Sequence, residues 1–381
     1  MTPAAPARAA VLLDPAADVV ELTRQVCDAE SVSGGEGALA DAVEAFCRDL
    51  GAYEVLRDGD AVVARTRAGR PERVVLAGHL DTVPLTDPPN LPVRRELVEG
   101  EGEVLAGRGT VDMKGGVAVQ LAVARAAAAA GGAPTRDLTF VFYDHEEVAS
   151  DLSGLGRLAR GHREWLDGDF AILLEPTAGA VEGGCNGTLR ADVTTRGRAA
   201  HTARAWRGSN AIHAAGQVLA RLAAYEPAHV EVEGLVFREG LNAVAIRGGI
   251  AGNVVPDRCT VTVNYRFAPA RSGAQAEAHL REVLDGFEVD VTDVAEGARP
   301  GLGLPAAAAF CEVVGTPPAP KYGWTDVARF SALGVPAVNY GPGDALLAHA
   351  DDERCPVAQI LECERVLTTW LLGAAPSEEV R

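Results

Sequence analysis

The sequence predicts an α/β protein, a catalytic α/β/α domain with a largely parallel central sheet, interrupted by an inserted ferredoxin-like α+β domain. Three observations carry the prediction. Apolar strand-like runs alternate with helical segments over roughly the first 180 residues, as in an α/β sandwich with a largely parallel sheet. The pattern then changes to strand–helix–strand–strand–helix–strand within about a hundred residues, the order of a ferredoxin-like unit. Helix and apolar strand resume after the Gly/Pro-rich stretch Glu296–Pro305. The expected divisions are residues 1–184 for the first part of the catalytic domain, 185–296 for the inserted lid and dimerisation domain, and 297–381 for the second part.

Taken in order, Val19–Cys27 and Ala38–Leu50 place apolar residues at helical spacing, joined by Ser31-Val32-Ser33-Gly34-Gly35. Strand-like runs follow at Glu54–Leu56, Ala61–Thr66 and Arg73–Ala77. Val74-Val75-Leu76-Ala77 is apolar throughout, as a strand buried on both faces requires. Val117–Ala130 is alanine-rich and stops at glycine, which predicts a helix. Leu138–Tyr143 and Phe170–Leu174 are further continuous apolar strands. In the inserted segment, Leu189–Arg196, Asn242–Ile250, Thr260–Phe267 and Phe287–Val291 read as strands, and Ala211–Leu222 and Ala274–Leu284 as helices. Ala306–Val314, Pro336–Tyr340 and Val357–Leu372 complete the chain as helix, strand and helix.

Composition narrows the function classes. A formal net charge of -18 over 381 residues disfavours a nucleic-acid or anionic-membrane partner, though a local arginine cluster still allows an anionic substrate. The seven cysteines are scattered singly with no CxxC pair, so reduced, buried thiols are expected. The N-terminal residues lack the pattern of an export signal and no apolar run reaches the roughly 18 residues a membrane span needs. A soluble cytoplasmic protein with a frayed N-terminal tail is expected.

Five potential metal ligands stand in informative contexts: His79 in Gly78-His79-Leu80-Asp81, Asp112 before Met113-Lys114-Gly115-Gly116, Glu147 after Glu146, Glu175 in Glu175-Pro176-Thr177, and His349 in Ala348-His349-Ala350. Two imidazoles and three carboxylates suit two zinc-like ions, with one carboxylate bridging. His79, Glu147 and Glu175 each fall at or just after a predicted strand end, where sites gather in open α/β sheets. Singly, each has a bland reading: a structural histidine, a solvated acidic pair, a loop aspartate. Their convergence on one sheet edge favours a metal centre. Asp81 lies two residues beyond His79, so in an extended segment its carboxylate can reach the second ring nitrogen. The side chains of Glu146 and Glu147 diverge after a buried strand, leaving one for metal and the other for a water as general base.

These motifs, with Gly78-His79-Leu80-Asp81-Thr82-Val83-Pro84, Gly107-Arg108-Gly109-Thr110-Val111-Asp112-Met113-Lys114 and Glu146-Glu147, resemble the co-catalytic zinc deacylases and carboxypeptidases. That family includes acetylornithine deacetylases, succinyl-diaminopimelate desuccinylases and aminoacylases. Lys321–Phe330 and Glu239-Gly240-Leu241-Asn242 are similar to its actinobacterial desuccinylase branch. The resemblance implies a di-zinc amidohydrolase, with cobalt able to substitute, that removes the succinyl group from N-succinyl-LL-2,6-diaminopimelate. Acetylornithine deacetylase or another N-acyl-amino-acid hydrolase would use the same centre. A metal-binding pseudoenzyme would have lost a ligand or the base, and none is missing.

The resemblance further implies the residue roles. Asp112 bridges the ions, His79 and Glu175 complete one position, Glu147 and His349 the other, and a cis peptide follows Asp112. Asp81 orients His79, and Glu146 is the general base. His201, in Gly197-Arg198-Ala199-Ala200-His201-Thr202-Ala203-Arg204, stabilises the oxyanion in the neighbouring subunit of a homodimer formed through the lid. Asn253, Arg266, Thr325 and Arg329 are expected to bind a dicarboxylic N-acyl amino acid, the last two from the catalytic domain. One departure stands out: Cys185-Asn186 precedes Gly187-Thr188, where several relatives outside this branch carry a basic residue.

Overall fold

Side-chain chemistry sets several helix starts. Asp18 accepts the Glu21 amide at 2.8 Å, Ser153 and Asn210 cap two further helices, and Ser272 forms a reciprocal capping box with Gln275. The computed structural model describes residues 11–131 and 135–373. Residues 1–10, part of the tail expected to fray, lie outside the described residues.

In chain order the elements begin α1 (Val19–Asp28), α2 (Gly37–Asp49), β1 (Glu54–Asp58), β2 (Ala61–Arg65) and β3 (Arg73–His79). Next come β4 (Arg94–Val98), β5 (Gly102–Ala106), α3 (Lys114–Ala129), β6 (Asp137–Tyr143), α4 (Gly154–Gly161), β7 (Phe170–Leu173) and β8 (Glu182–Gly183). The middle of the chain forms β9 (Gly187–Arg196), β10 (Ala200–His201), α5 (Ala211–Ala223), β11 (His229–Val232), β12 (Leu235–Arg238), β13 (Gly240–Gly248), β14 (Val254–Val255), β15 (Arg258–Phe267), α6 (Gly273–Val283) and β16 (Glu288–Ala295). The last are α7 (Pro305–Val314), β17 (Ala319–Pro320), α8 (Val327–Ala332), β18 (Ala337–Asn339), β19 (Arg354–Pro356) and α9 (Val357–Leu372).

The chain divides into two compact units, one of residues 1–183, 301–319 and 329–381, the other of residues 184–300 and 320–328. The segment 320–328 therefore groups with the second unit, whereas the sequence reading placed it in the catalytic part. The first unit is built on a sheet of order β1-β2-β6-β3-β7-β18-β8-β17. Its centre, β6-β3-β7-β18, is parallel, while β1, β2 and β8 pair antiparallel at the flanks. The sheet is thus mixed, with the expected parallel strands at its centre. Alternate residues face opposite sides. Val74 and Leu76 join the core formed with α1, α2, α3, α7 and α9, whereas Val75 and Ala77 are equally buried without belonging to it. On β2 the helix α4 adds its own cover, with Leu155 and Leu158 buried.

The second unit contains the antiparallel sheet β13-β15-β9-β16, the strand order of a ferredoxin-like unit. One face packs on α5 and α6 through Val193, Val261, Val263, Tyr265, Val218 and Leu280. Its extra hairpin, β11–β12, turns on Glu233 and Gly234, both at positive φ (51° and 84°), as a two-residue turn matching strand twist demands.

That hairpin, the β4–β5 hairpin and α4 are absent from the sequence reading. β4 is exposed along nearly its whole length and carries Arg94-Arg95-Glu96, so no apolar alternation marks it. β5 matters for the site, because β19 pairs with it on the other side.

Glycine permits one close approach that positions the site. A methyl group on Gly116, in the first turn of α3, would collide with the Leu174 carbonyl oxygen, immediately before Glu175. Gly116→Ala is expected to lower unfolding free energy by about 1–3 kcal/mol, the usual range for overpacking. Denaturant titration checks this; an unchanged midpoint would contradict the tight contact between α3 and the residue that follows β7.

Candidate metal centre

Strand register brings the first ligands together. On the parallel pair β3–β6, His79 lies opposite Tyr143, so the residues leaving β6 pass beside the imidazole. On the other side of β3, the Leu174 amide bonds the Ala77 carbonyl at 2.9 Å, which sets Glu175 at the same edge. Asp112 arrives from the loop before α3, and the Asp112–Met113 peptide is cis. His349 comes from the turn between residues 345–347 and β19.

Asp112 presents one oxygen to each histidine. Its Oδ1 lies 3.2 Å from His79 Nε2 and its Oδ2 3.3 Å from His349 Nε2. His349 Nε2 is also 3.0 Å from Glu147 Oε2. Donor atoms of His79, Asp112 and Glu175 all lie within 4.8 Å of one another, as do those of Asp112, Glu147 and His349. Ligands about 2.0–2.1 Å from a tetrahedral ion stand about 3.4 Å apart, so these separations fit the donor set to two zinc- or cobalt-like ions. A third group, His79, Glu146 and Glu147, shows that Glu146 also reaches this edge.

The expected contact between His79 and Asp81 takes a different form. His79 Nδ1 donates to the Asp81 backbone carbonyl at 3.0 Å, while the carboxylate stands 3.5 Å away. A carbonyl can only accept, so the ring proton sits on Nδ1 and Nε2 is left for an ion. The Asp81 carboxylate instead accepts the Glu146 and Glu147 amides, each at 3.0 Å, and Ser33 Oγ at 2.7 Å. Glu36, fully buried, accepts the preceding amide of His145 at 3.2 Å. His145 has φ 58° and its ring bonds Asp144, which in turn pairs with Arg157. Three successive amides are therefore aimed at two buried carboxylates, fixing the turn from which Glu146 and Glu147 project.

The charges reinforce one another. Burial alone would lower the His79 pKa, but Asp112 and Asp81 raise it well above its ordinary value. Burial opposes ionisation of Asp81, yet His79, Ser33 and the Glu146 amide hold it at about 2. Asp112 is held below the usual carboxylate range against burial by His349 and His79. Burial pushes the Glu36 carboxyl up. Lys114, also buried, is pushed down by desolvation and donates to the Ala29 carbonyl at 2.8 Å and Ser31 Oγ at 2.9 Å.

The remaining predicted residues are spread over both units. His201 is exposed, and its Nδ1 accepts the Ala203 amide at 3.0 Å. β10 and β14 pair, and the carbonyl of Asn253, just before β14, accepts the Thr202 amide at 3.0 Å. Arg266 is half-buried on β15 and makes no ion pair among the described residues; burial and then Arg190 lower its pKa. Thr325, expected on the catalytic domain, is buried in the second unit. Arg329 belongs to the first unit and donates to Ser150 Oγ at 2.9 Å. Ser33, Glu36 and Glu353 were not singled out from sequence; only their tertiary partners mark them.

The Asp112 and Glu147 contacts raise the His349 pKa to about 10 against opposing burial. Such a ring is protonated at neutral pH and must release that proton to hold an ion. Apparent metal affinity should therefore rise with pH up to about 10, with protons released on binding. Calorimetry in buffers of different ionisation enthalpy counts those protons; pH-independent affinity without release would contradict the assignment of His349.

Comparison with known proteins is consistent with this geometry. A Mycobacterium tuberculosis protein named "Putative succinyl-diaminopimelate desuccinylase DapE" is 51% identical over 365 residues, spanning 95% of this chain and 100% of that protein. Succinyl-diaminopimelate desuccinylase from Corynebacterium glutamicum is 45% identical, spanning 94% of this chain and 97% of its own. Among solved structures, a Staphylococcus aureus tripeptidase shares the fold with a TM-score of 0.75 at 19% identity, over 94% of this chain and 98% of that one. Residues 75–373 match Peptidase family M20/M25/M40, and the chain belongs to that family.

Proposed function

We infer that the protein is a metal-dependent amidohydrolase that cleaves N-succinyl-LL-2,6-diaminopimelate to succinate and LL-2,6-diaminopimelate. The observation that carries the substrate is the 51% identity to a desuccinylase-named relative along essentially the whole chain. The chemistry is supported by the two-faced Asp112 between His79 and His349. Two zinc ions, with cobalt as a substitute, would be held by His79, Asp112, Glu175 and by Asp112, Glu147, His349. When bound, such ions supply Lewis acidity and lower the pKa of water.

The chain's own residues supply the rest. Glu146 takes a proton from the attacking water and returns it to the departing amine. Asp81 holds the Glu146 amide, so the base is oriented from its backbone. Arg266, lacking an acidic partner among the described residues, suits a substrate carboxylate through its planar fork. With Nδ1 accepting a backbone amide, a neutral His201 carries its proton on Nε2, the form that donates to an oxyanion. That donation takes place in the partner subunit of a homodimer. β13 supports such pairing: it is a sheet edge, with Val244 58% and Ile246 49% exposed.

A ninhydrin assay on succinyl-diaminopimelate, acetylornithine and acetyl-methionine tests the substrate, and clear preference for either acetyl compound would overturn the reading. Glu146→Gln should keep both ions and lose about 10²–10⁴-fold in turnover. Loss of an ion from this variant would make Glu146 a ligand instead, in the group with His79 and Glu147.

Mixing His201→Ala with Glu146→Gln subunits tests the trans role. With His201 acting across the dimer, a mixed dimer has one site with both lesions and one intact, so activity returns. A cis histidine leaves one lesion in each site and no recovery.

A further inference from the structure

Asp351 and Asp352, which precede Glu353 in the chain, are exposed. Glu353 is only 1% exposed. Its Oε1 accepts two successive amides, from Val111 at 2.9 Å and Asp112 at 3.2 Å. Its Oε2 accepts Arg108 Nη1 at 2.8 Å. Arg108 is itself buried and also donates to the Ala350 and Pro84 carbonyls, each at 3.2 Å. The Glu353 carbonyl accepts the Gly107 amide at 2.9 Å. One buried ion pair therefore ties the loop after His79, the loop ending in Asp112 and the turn carrying His349. A buried ion pair is a weak source of stability because desolvation offsets its attraction. It is a strong source of geometry.

The two ion positions differ in what holds their ligands. His79 ends β3 and Glu175 follows β7, so sheet register sets that side. His349 lies on neither helix nor strand, its side chain is 52% exposed, and its backbone stands at φ 63°. A non-glycine residue keeps such a conformation only where its surroundings hold it. Here the neighbouring Ala350 carbonyl is held by Arg108, and the turn ends at Glu353.

We propose that Glu353, with Arg108 as counter-ion, is a positioning residue that fixes the His349 turn against the loop ending in Asp112, and so supports selectively the ion position formed by Asp112, Glu147 and His349. The proposal rests on the two-ion reading above.

The test titrates metal-free wild type, Glu353→Gln and Arg108→Lys with Co2+, following equivalents by calorimetry and ligand-field absorption. Wild type should fill in two steps. In both variants one step should lose about 10- to 100-fold in affinity, the usual cost of removing a group that orients a ligand, while the other is unchanged. Turnover lost at limiting Co2+ should return at high Co2+ with KM unaltered. Arg108→Lys keeps a cation beside Glu353 but loses the fork that reaches Ala350 and Pro84, so it decides the matter if Glu353→Gln does not fold. Two native-affinity steps in a folded variant overturn the proposal. So does equal weakening of both steps, or failure of both variants to fold, since either marks a general structural role. A wild type that binds fewer than two ions overturns the two-ion reading itself.

Discussion

Asp112 stands between His79 and His349, one oxygen to each ring at 3.2 and 3.3 Å, and no element of regular structure contains all three. An aspartate is short, so its carboxylate can bridge two ligand sets only if its backbone is placed closely. That placement comes from Glu353, which accepts the Asp112 amide and the one before it. The same device recurs across the site, where Asp81 accepts the amides of Glu146 and Glu147. In both cases a buried acid that is not itself an expected ligand orients the backbone of the acids that are.

Crowding acids at one edge is electrostatically costly, and the remedy is local. Backbone N–H groups and protonatable rings stabilise the charged forms where solvent is excluded. Asp81 stays ionised at about 2 because His79, Ser33 and a backbone amide outweigh its burial. Glu36 lacks such compensation on one oxygen: its Oε2 finds no partner among the described residues, and burial pushes its carboxyl up. Lys114 offsets nothing by direct pairing. It is satisfied by carbonyls and Ser31, and so anchors the end of α1 against the residues that follow His79, since Ser31 Oγ also bonds the Leu80 carbonyl at 2.6 Å.

How much of this was legible in sequence follows the same physics. Apolar runs mark buried strands, so β3, β6 and β7 and the ligand segments at their ends could be read directly. The four-stranded sheet and two helices of the second unit were equally plain, because β9, β15, α5 and α6 each bury one face, whereas the β11–β12 hairpin was not. Exposed β4 carries no such signal. The spacing of His79 and Asp81 predicts that the carboxylate stands beside the second ring nitrogen, which it does at 3.5 Å, but not that the Asp81 carbonyl comes closer, at 3.0 Å. Glu353 was illegible for a deeper reason. Its burial depends on Arg108, 245 residues away, and a run of three acids looks the same whether or not its last member finds an arginine.

Charge is divided as unevenly as structure. In residues 184–300 and 320–328, lysines and arginines equal aspartates and glutamates in number, so the whole net charge of -18 belongs to the first unit. A dicarboxylic substrate approaching an acidic metal centre meets unfavourable long-range potential. Specific cations must offset it at short range, where screening matters least. In the first unit the candidate ligands His79, Asp112, Glu147 and His349 contact one another. On the neutral second unit, by contrast, Arg266 is half-buried and free of acidic partners among the described residues. An arginine left without an acid in such a place destabilises the empty protein and gains most when an anion arrives.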